Sequence, residues 1–553
     1  MENSNKTFEM PYITTVNPGA VPVITMLCRT AKIGEIVNQM VEWDEDRSKI
    51  SPGLLIESLI VCIFCGRKPL WRVEEFWAKQ DLKLLFDGVD VTVDQLNDDA
   101  YGRALDKLSE VKMWKNWKSL LLIGTTKSVQ GANENDAFGD FLITYGHSKD
   151  HRPDLKQFKI GAAVQENGHP VMGQIFSGNK SDKVWNPEAV LKMSEFFNKK
   201  GYKDVVFVSD CAIVSTDSLN ELSRKHIQFI SRLPETFKLA QELKDLAWQA
   251  DNWNDIGPLS DAKTAANYKT FAIQRELNGR KYDFVVVYSS VLDAKKEKTL
   301  KKRIAKQKEE LQKLAKDLAK QKFACAPDAE TALKKFQAKA EEMGFTTQGE
   351  IKVEEKRSYS GKGRPRKGEE PTISITYQCQ CRIGEMKPDY YEQLRQKEST
   401  FVLIANVRDK KKWDDRRILQ EYKNQSSIEN KFRFLKSPVY LGPVYLEKPN
   451  RIQALGYVFI LVLLISSYLE YRVRKSLKEN KEYVLLPGKK KTDRPTTKTI
   501  MEYFSFIMIV IVNGQRLFPS NCNKQALNLV RWAGYDPEEV YLKPLPWYPG
   551  RKK

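Results

Sequence analysis

Between residues 457 and 469 the chain reads YVFILVLLISSYL, and this run limits the fold more than any other feature. It falls short of the roughly 18 to 20 uninterrupted apolar residues that a membrane span needs. It also continues into Glu470, Arg472 and Arg474 on the same helical pattern. A helix that is apolar all round must be enclosed by other elements, so the chain has to supply a core large enough to receive it. A second run, YFSFIMIVIV over 503–512, is shorter still and is likewise expected to be a buried core helix. Neither is expected to enter a membrane. The start, MENSNKTFEMPYITTV, has no basic segment leading into an apolar one, so secretion is not expected. Eight cysteines in 553 residues are too sparse for a disulfide scaffold. These features set the expected location as the reducing cytoplasm.

At roughly 100–200 residues per domain the length implies three to five folded units. The hydrophobic share, 41%, excludes a wholly disordered chain. Lys and Arg outnumber Asp and Glu by 91 to 71, a net charge of +20. Such an excess favours a polyanionic partner, because basic surfaces release condensed counterions on meeting phosphate backbones. A basic protein with no nucleic-acid role stays open on charge alone.

The pattern divides the chain into five regions. Residues 1–115 read as short helices: Ile33, Ile36, Val37, Met40 and Val41 share a face, Ser51-Pro52 opens a second helix, Lys68-Pro69 a third, and a fourth starts near Asp98. Such a region suits DNA binding or plain helical support. Residues 116–235 carry strand-like runs at 120–126, 158–164, 171–176, 205–209 and 229–233, with a helix around Val190 to Phe197; these are expected to form one mixed sheet. Residues 236–400 behave as an insertion, with a strand at 284–288 and a charged helix over about 296–322. That helix puts Leu300, Ile304, Leu311, Leu314 and Leu318 on a narrow stripe, and Leu333, Phe336, Ala340 and Met343 return it after Ala326-Pro327-Asp328. Residues 401–475 resume with a strand at 401–405 and helices at 417–435 and 452–472. Residues 476–553 are expected to be an exposed lysine-rich loop and final helices.

Few motifs carry chemistry. Cys62-x-x-Cys65 lies inside an apolar helical run, and the four histidines lack zinc-site spacing. No P-loop and no Gly-x-Gly-x-x-Gly opens a helix, so nucleotide hydrolysis has no support. Asp210 ends the apolar run VVFVS. An acid there can sit in the crevice outside a sheet, where oxygen ligands hold hard cations, or it can simply cap the next helix. In YKNQSSIENKFRFLK, helical spacing brings Gln425, Glu429 and Lys436 near one face, with Tyr422 one turn before.

These residues resemble those of DDE transposases of the insertion-sequence-four superfamily, in the branch with a long helical N-terminal region. That superfamily's signature is Tyr-x2-Arg-x3-Glu-x6-Lys; Tyr422, Glu429 and Lys436 fit it, and Gln425 stands where Arg is expected. The strings GHSKDHRPDLKQ (146–157), SGNKSD (177–182), FRFLKSP (432–438) and EKPNRI (447–452) resemble the same branch, and the similarity spans roughly residues 30–475.

The resemblance implies an α/β fold: a ribonuclease H-like catalytic domain interrupted by an insertion, with helical N-terminal and C-terminal regions. It implies Mg2+ or Mn2+ as cofactor, held by three acids of which Asp210 and Glu429 are the second and third. The first is expected in an Asp-Thr-Thr context, where this chain has Gly124 before Thr125 and Thr126. Tyr422, Gln425, Arg433 and Lys436 are implied to contact DNA. In KGRPRK, Arg364 and Arg366 resemble a Gly-Arg-Pro core that lies in AT-rich minor grooves, with a simple basic loop as the alternative. The implied partner is double-stranded DNA, both element ends and target, bound by a homodimer associated with the nucleoid. The implied activity is metal-dependent strand cleavage and strand transfer, impaired by Gly124. The competing expectation is a catalytically silent, transposase-derived DNA-binding protein.

Overall fold

The computed structural model describes residues 13–66, 69–111, 122–130, 137–148, 152–165, 168–202, 204–260, 265–358, 370–436 and 444–547. The chain is mixed α/β and divides into two units, one of residues 1–230 and 421–553, the other of residues 231–420.

The first unit is organised around the helix Pro449–Asn480, which contains the apolar run 457–469. By length and composition it is apolar enough to cross a membrane, with a mean hydropathy of 2.1, yet 72% of that window is buried inside the chain. Its neighbours are the helices Val21–Thr30, Pro52–Val61 and Asp98–Glu110, the strand Pro170–Ser177, and the helices Thr497–Phe504 and Lys524–Trp532. Two glycines set the helix-to-strand distance. A Cβ at Gly173 would lie 2.2 Å from Ile460 Cδ1, and one at Gly456 would lie 2.8 Å from Ile175 Cδ1. Where the apolar run gives way to charge, Glu470 is buried but satisfied: it accepts from Thr497 N at 2.7 Å and Thr497 Oγ1 at 2.9 Å, and pairs with Arg474 at 3.1 Å.

At the other end of this helix, Arg451 grips Asp106 of the 98–110 helix through Nε at 2.9 Å and Nη2 at 2.6 Å, and Asn450 adds a third donor at 3.0 Å. The Arg451 hydrogen bonds hold the Asp106 carboxyl below its usual range. A depressed folded pKa contributes stability above the unfolded value, and that contribution is lost as pH falls through the folded one. Asp106→Asn is therefore expected to cost about 1–2 kcal/mol near neutrality. The gap between variant and parent in chemical denaturation should begin to narrow below about pH 4 and keep narrowing as pH falls through the depressed folded value. A gap that stays constant as pH falls below about 4 would refute the ion-pair account.

The N-terminal helices follow their caps. Ser51 accepts from Leu54 N and Pro52 takes the first turn, as the pair Ser51-Pro52 requires, and the helix runs on into a π-helical turn at Cys62–Gly66. The expected single five-stranded sheet is not formed. Leu122–Ser128, Gln157–Val164 and Pro170–Ser177 make an antiparallel three-stranded sheet, whereas Val206–Ser209 is laddered to Gln228–Arg232. Cα atoms of Leu122–Ser128 and Val206–Ser209 approach within 8 Å, but no ladder joins them among the described residues. Val206–Ser209 is buried on both faces. Without alternation, nothing in its sequence selects a partner or a register.

The C-terminal region is not purely helical. Of the run 503–512, expected as one core helix, the first residues end the helix Thr497–Phe504 and Ile509–Val512 is a strand. Four successive β-branched residues followed by Asn513-Gly514, both at positive φ, dictate a tight hairpin to Gln515–Leu517. The outer partner of that hairpin is Ile13–Val16. The lysines expected in a loop lie at a second small hairpin, Val484–Leu486 with Lys490–Thr492.

In the second unit, Asn254–Pro258, Asn267–Leu277, Arg280–Ser289 and Thr400–Asn406 form an antiparallel sheet in that order. The helices Ser290–Lys320 and Ala326–Glu342 cover one face of a long ribbon, Phe345–Ser358 with Thr372–Met386. Leu311, Ala315, Leu318, Leu333, Phe336, Ala340, Phe345 and Cys379 make its core. Leu314, expected on the buried stripe, is 38% exposed; Ala315 takes its place, because the stripe follows the 3.6-residue turn of a straight helix.

Candidate functional site

The strand Val206–Ser209 is an unbroken buried run, and it stops where Asp210 turns the chain into the short 3-10 helix Cys211–Ile213. Asp210 Oδ1 accepts from Ala212 N at 3.0 Å, so the capping role foreseen for it is real. The same oxygen also accepts from Asn186 Nδ2 at 3.1 Å, and Asn186 donates to Ser209 Oγ at 3.2 Å. Asn186 is buried and Asp210 is exposed. A fixed amide thus orients a carboxylate that faces outward at the end of a strand.

Asn186 belongs to the helix Asp182–Lys199, capped by Ser181. Its neighbour Trp185 fastens this helix to the three-stranded sheet. Trp185 is fully buried, lies 5.3 Å from Phe176 with the rings nearly parallel, and donates from Nε1 to Gln174 Oε1 at 3.0 Å. A Cβ at Gly161 would sit 2.3 Å from the indole, so the strand must be bare there. Gly161 stands directly opposite Gly124 on Leu122–Ser128. Directly opposed residues share a sheet face, so position 124 lies on the face that carries the helix holding Asp210.

Two of the sequence strings meet close by. Gln157, last of GHSKDHRPDLKQ, donates from Nε2 to Gly178 O at 2.9 Å. A Cβ at Gly146 would fall 2.4 Å from Gly178 O, and one at Gly178 would fall 2.1 Å from Gln157 O. Buried Lys159 donates to Lys180 O at 2.5 Å and lies 3.5 Å from Asp182. Arg152 and Asp154 form an exposed bidentate pair. The segments 144–148, 152–157 and 177–182 therefore make one scaffold at the start of the helix that bears Asn186.

The remaining candidates lie on the helix Asp415–Lys436. Tyr422 and Gln425 are half-buried, and Gln425 Nε2 has no hydrogen-bond partner among the described residues. Glu429, Arg433 and Lys436 belong to the later turns, with their side chains outside the described residues, as are Arg364 and Arg366 altogether. Among the described residues no three His, Cys, Asp or Glu side chains cluster to hold a metal. Asp210 is the one sequence-derived carboxylate whose surroundings are seen, and an outward oxygen donor of this kind suits a hard divalent cation. Sequence reasoning missed Asn186, since a single amide in an amphipathic helix carries no spacing signal.

Residues 14–122 match a family described as a domain of unknown function, DUF4277. No curated protein matches the chain. Among solved structures, a piggyBac transposase in its synaptic complex with hairpin DNA is similar at 8% identity and a TM-score of 0.31, over 95% of this chain and 77% of that one. A likeness so shallow carries no argument about fold or chemistry, which rest on the residues.

Proposed function

We propose that this chain is a DNA transposase of the DDE type with a ribonuclease H-like catalytic core, weakened in cleavage because Gly124 occupies the first acid's position. The observation that carries the reading is the outward Asp210 carboxylate, held by Asn186 at the end of a buried strand, beside the strand that bears position 124. In this reading Asp210 and Glu429 would hold Mg2+ or Mn2+, which would supply Lewis-acid polarisation of the phosphodiester and a lowered pKa for the attacking water. Asn186 fixes one Asp210 oxygen and so sets the direction of the other. Tyr422, Gln425, Arg433 and Lys436 bind phosphate and keep the strand in line, and Arg364 and Arg366 lie along the minor groove. The insertion-sequence-four branch is the family this reading assigns, with element ends and target as the DNA.

Gly124 itself supports a second reading, a DNA-binding protein that no longer cuts, because glycine offers a cation no side-chain oxygen. Both readings require DNA binding. With a net charge of +20 the affinity for duplex DNA is expected to fall steeply with salt, by about 10³-fold or more between 50 and 200 mM if six or more phosphates are contacted. Fluorescence anisotropy on a labelled duplex measures this. A flat salt response, or no binding at low salt, rejects both readings together.

A further inference from the structure

The ribbon of the second unit has an open side. Phe345–Ser358 and Thr372–Met386 pair with each other, and the bridge Phe323↔Tyr377 touches the outer side of the second strand. Among the described residues no backbone group of 345–358 bonds to anything beyond its ribbon partner. The helices cover only the base of the ribbon: Ile351 packs against their core, whereas Val353 is 57% exposed and every residue from 352 to 358 is exposed.

An unpaired edge is a template for another strand, and proteins commonly guard it with charged side chains, especially Lys. On this strand the charges are arranged so that they need not repel a second copy. Along one face Glu350, Lys352, Glu354 and Lys356 alternate in sign. Turned end over end about Val353, that series is its own complement. Glu350 then faces Lys356 of a second copy, Lys352 faces Glu354, both pairs recur beyond the axis, and Val353 meets Val353. A two-fold axis normal to a sheet keeps every side chain on its own face, so the centre must fall on a residue. Centring on Lys352 would set Glu350 against Glu354, and centring on Glu354 would set Lys352 against Lys356. On the other face the favoured register places Ile351 beside Glu355 and Gly349 beside Arg357, with no like charges opposed. The ion pairs these residues already make, Lys322–Glu354 at 2.7 Å and Lys352–Glu350 at 4.0 Å, are solvent-exposed and readily exchanged.

We infer that a second copy of this chain occupies the open edge, the two 345–358 strands pairing antiparallel about Val353 into a continuous four-stranded sheet. This association needs no DNA and is independent of whether the chain cuts DNA.

Sedimentation of the full chain without DNA tests it. The parent is expected to dimerise. Lys352→Glu opposes two pairs of carboxylates and Glu354→Lys two pairs of ammonium groups, so each should weaken the dimer by roughly 30-fold. An equimolar mixture of the two variants should recover the parent's association, because each altered side chain then faces its complement. Val353→Cys should give a disulfide-linked dimer under mild oxidation. Opposed residues in antiparallel strands have Cα atoms about 4.5–5.5 Å apart, within disulfide reach. The parent, with its own cysteines, should not cross-link under the same conditions. A parent that stays monomeric at all concentrations, single variants that associate as the parent does, a mixture that recovers nothing, or a cysteine variant that fails to cross-link would each overturn the pairing.

Discussion

Gly124→Asp is expected to raise metal-dependent nicking of supercoiled plasmid by about two to three orders of magnitude over the parent chain, with DNA binding little changed. Two cations held close together repel one another, and a carboxylate shared between them offsets that repulsion. In the proposed site, a chain with glycine at this position would have only Asp210 and Glu429 for the task. The register favours repair by a single substitution. Position 124 opposes Gly161 and therefore shares the sheet face of the helix whose Asn186 orients Asp210. Gly124→Asn is the control, since it adds similar bulk without the charge, and it should leave nicking near the parent's rate. Strong nicking by the parent would show that another acid serves. An unchanged rate in Gly124→Asp, with intact folding and binding, would show that the missing acid is not the main defect.

Trp185→Ala should be the most damaging truncation in the scaffold, lowering the stability of the first unit by about 3–5 kcal/mol. The indole is fully buried, stacks on Phe176, bonds to Gln174 and fills the space over Gly161. Its removal leaves a void between sheet and helix and an unpaired Gln174 amide oxygen. Because the next residue is Asn186, the hold on Asp210 loosens with it. Chemical denaturation followed by tryptophan fluorescence reads the change. A loss under about 1 kcal/mol would mean that the sheet and helix collapse onto each other and that Trp185 is not the fastening described.

What the sequence disclosed and what it hid follow from how far each signal reaches. Asp210 could be found because VVFVS is a run of strand formers that stops abruptly at an acid. The two helices of the second unit could be found because leucines recur at helical spacing on a charged background. The strands Asn254–Pro258 and Asn267–Leu277 carry no such signal: most of their side chains are exposed, so no apolar run marks them. Asn278-Gly279, both at positive φ, is nonetheless a hairpin turn of the kind that can be read locally. Pairing partners are another matter. Neither the neighbour of Val206–Ser209 nor the meeting of Gln157 with Gly178 is written in the residues on either side, since each depends on distant segments arriving together. The hold of Asn186 on Asp210 is hidden for the same reason.

The pairing of Ile13–Val16 with Ile509–Val512 also sets a clock. The second unit is continuous in sequence and has all its strands once residue 406 has been made. The first unit cannot complete its outer sheet until residue 512 has left the ribosome, because its first strand waits for one of its last. At about 5–20 residues per second, the nearly 500 residues between them correspond to roughly 25 to 100 s of synthesis. For most of that interval, until residues 449–480 have been made, the apolar faces of the helices Val21–Thr30 and Pro52–Val61 lack the helix they are built to cover. The nascent chain therefore carries its stickiest surfaces early and buries them late, while the unit inserted between the two halves folds first.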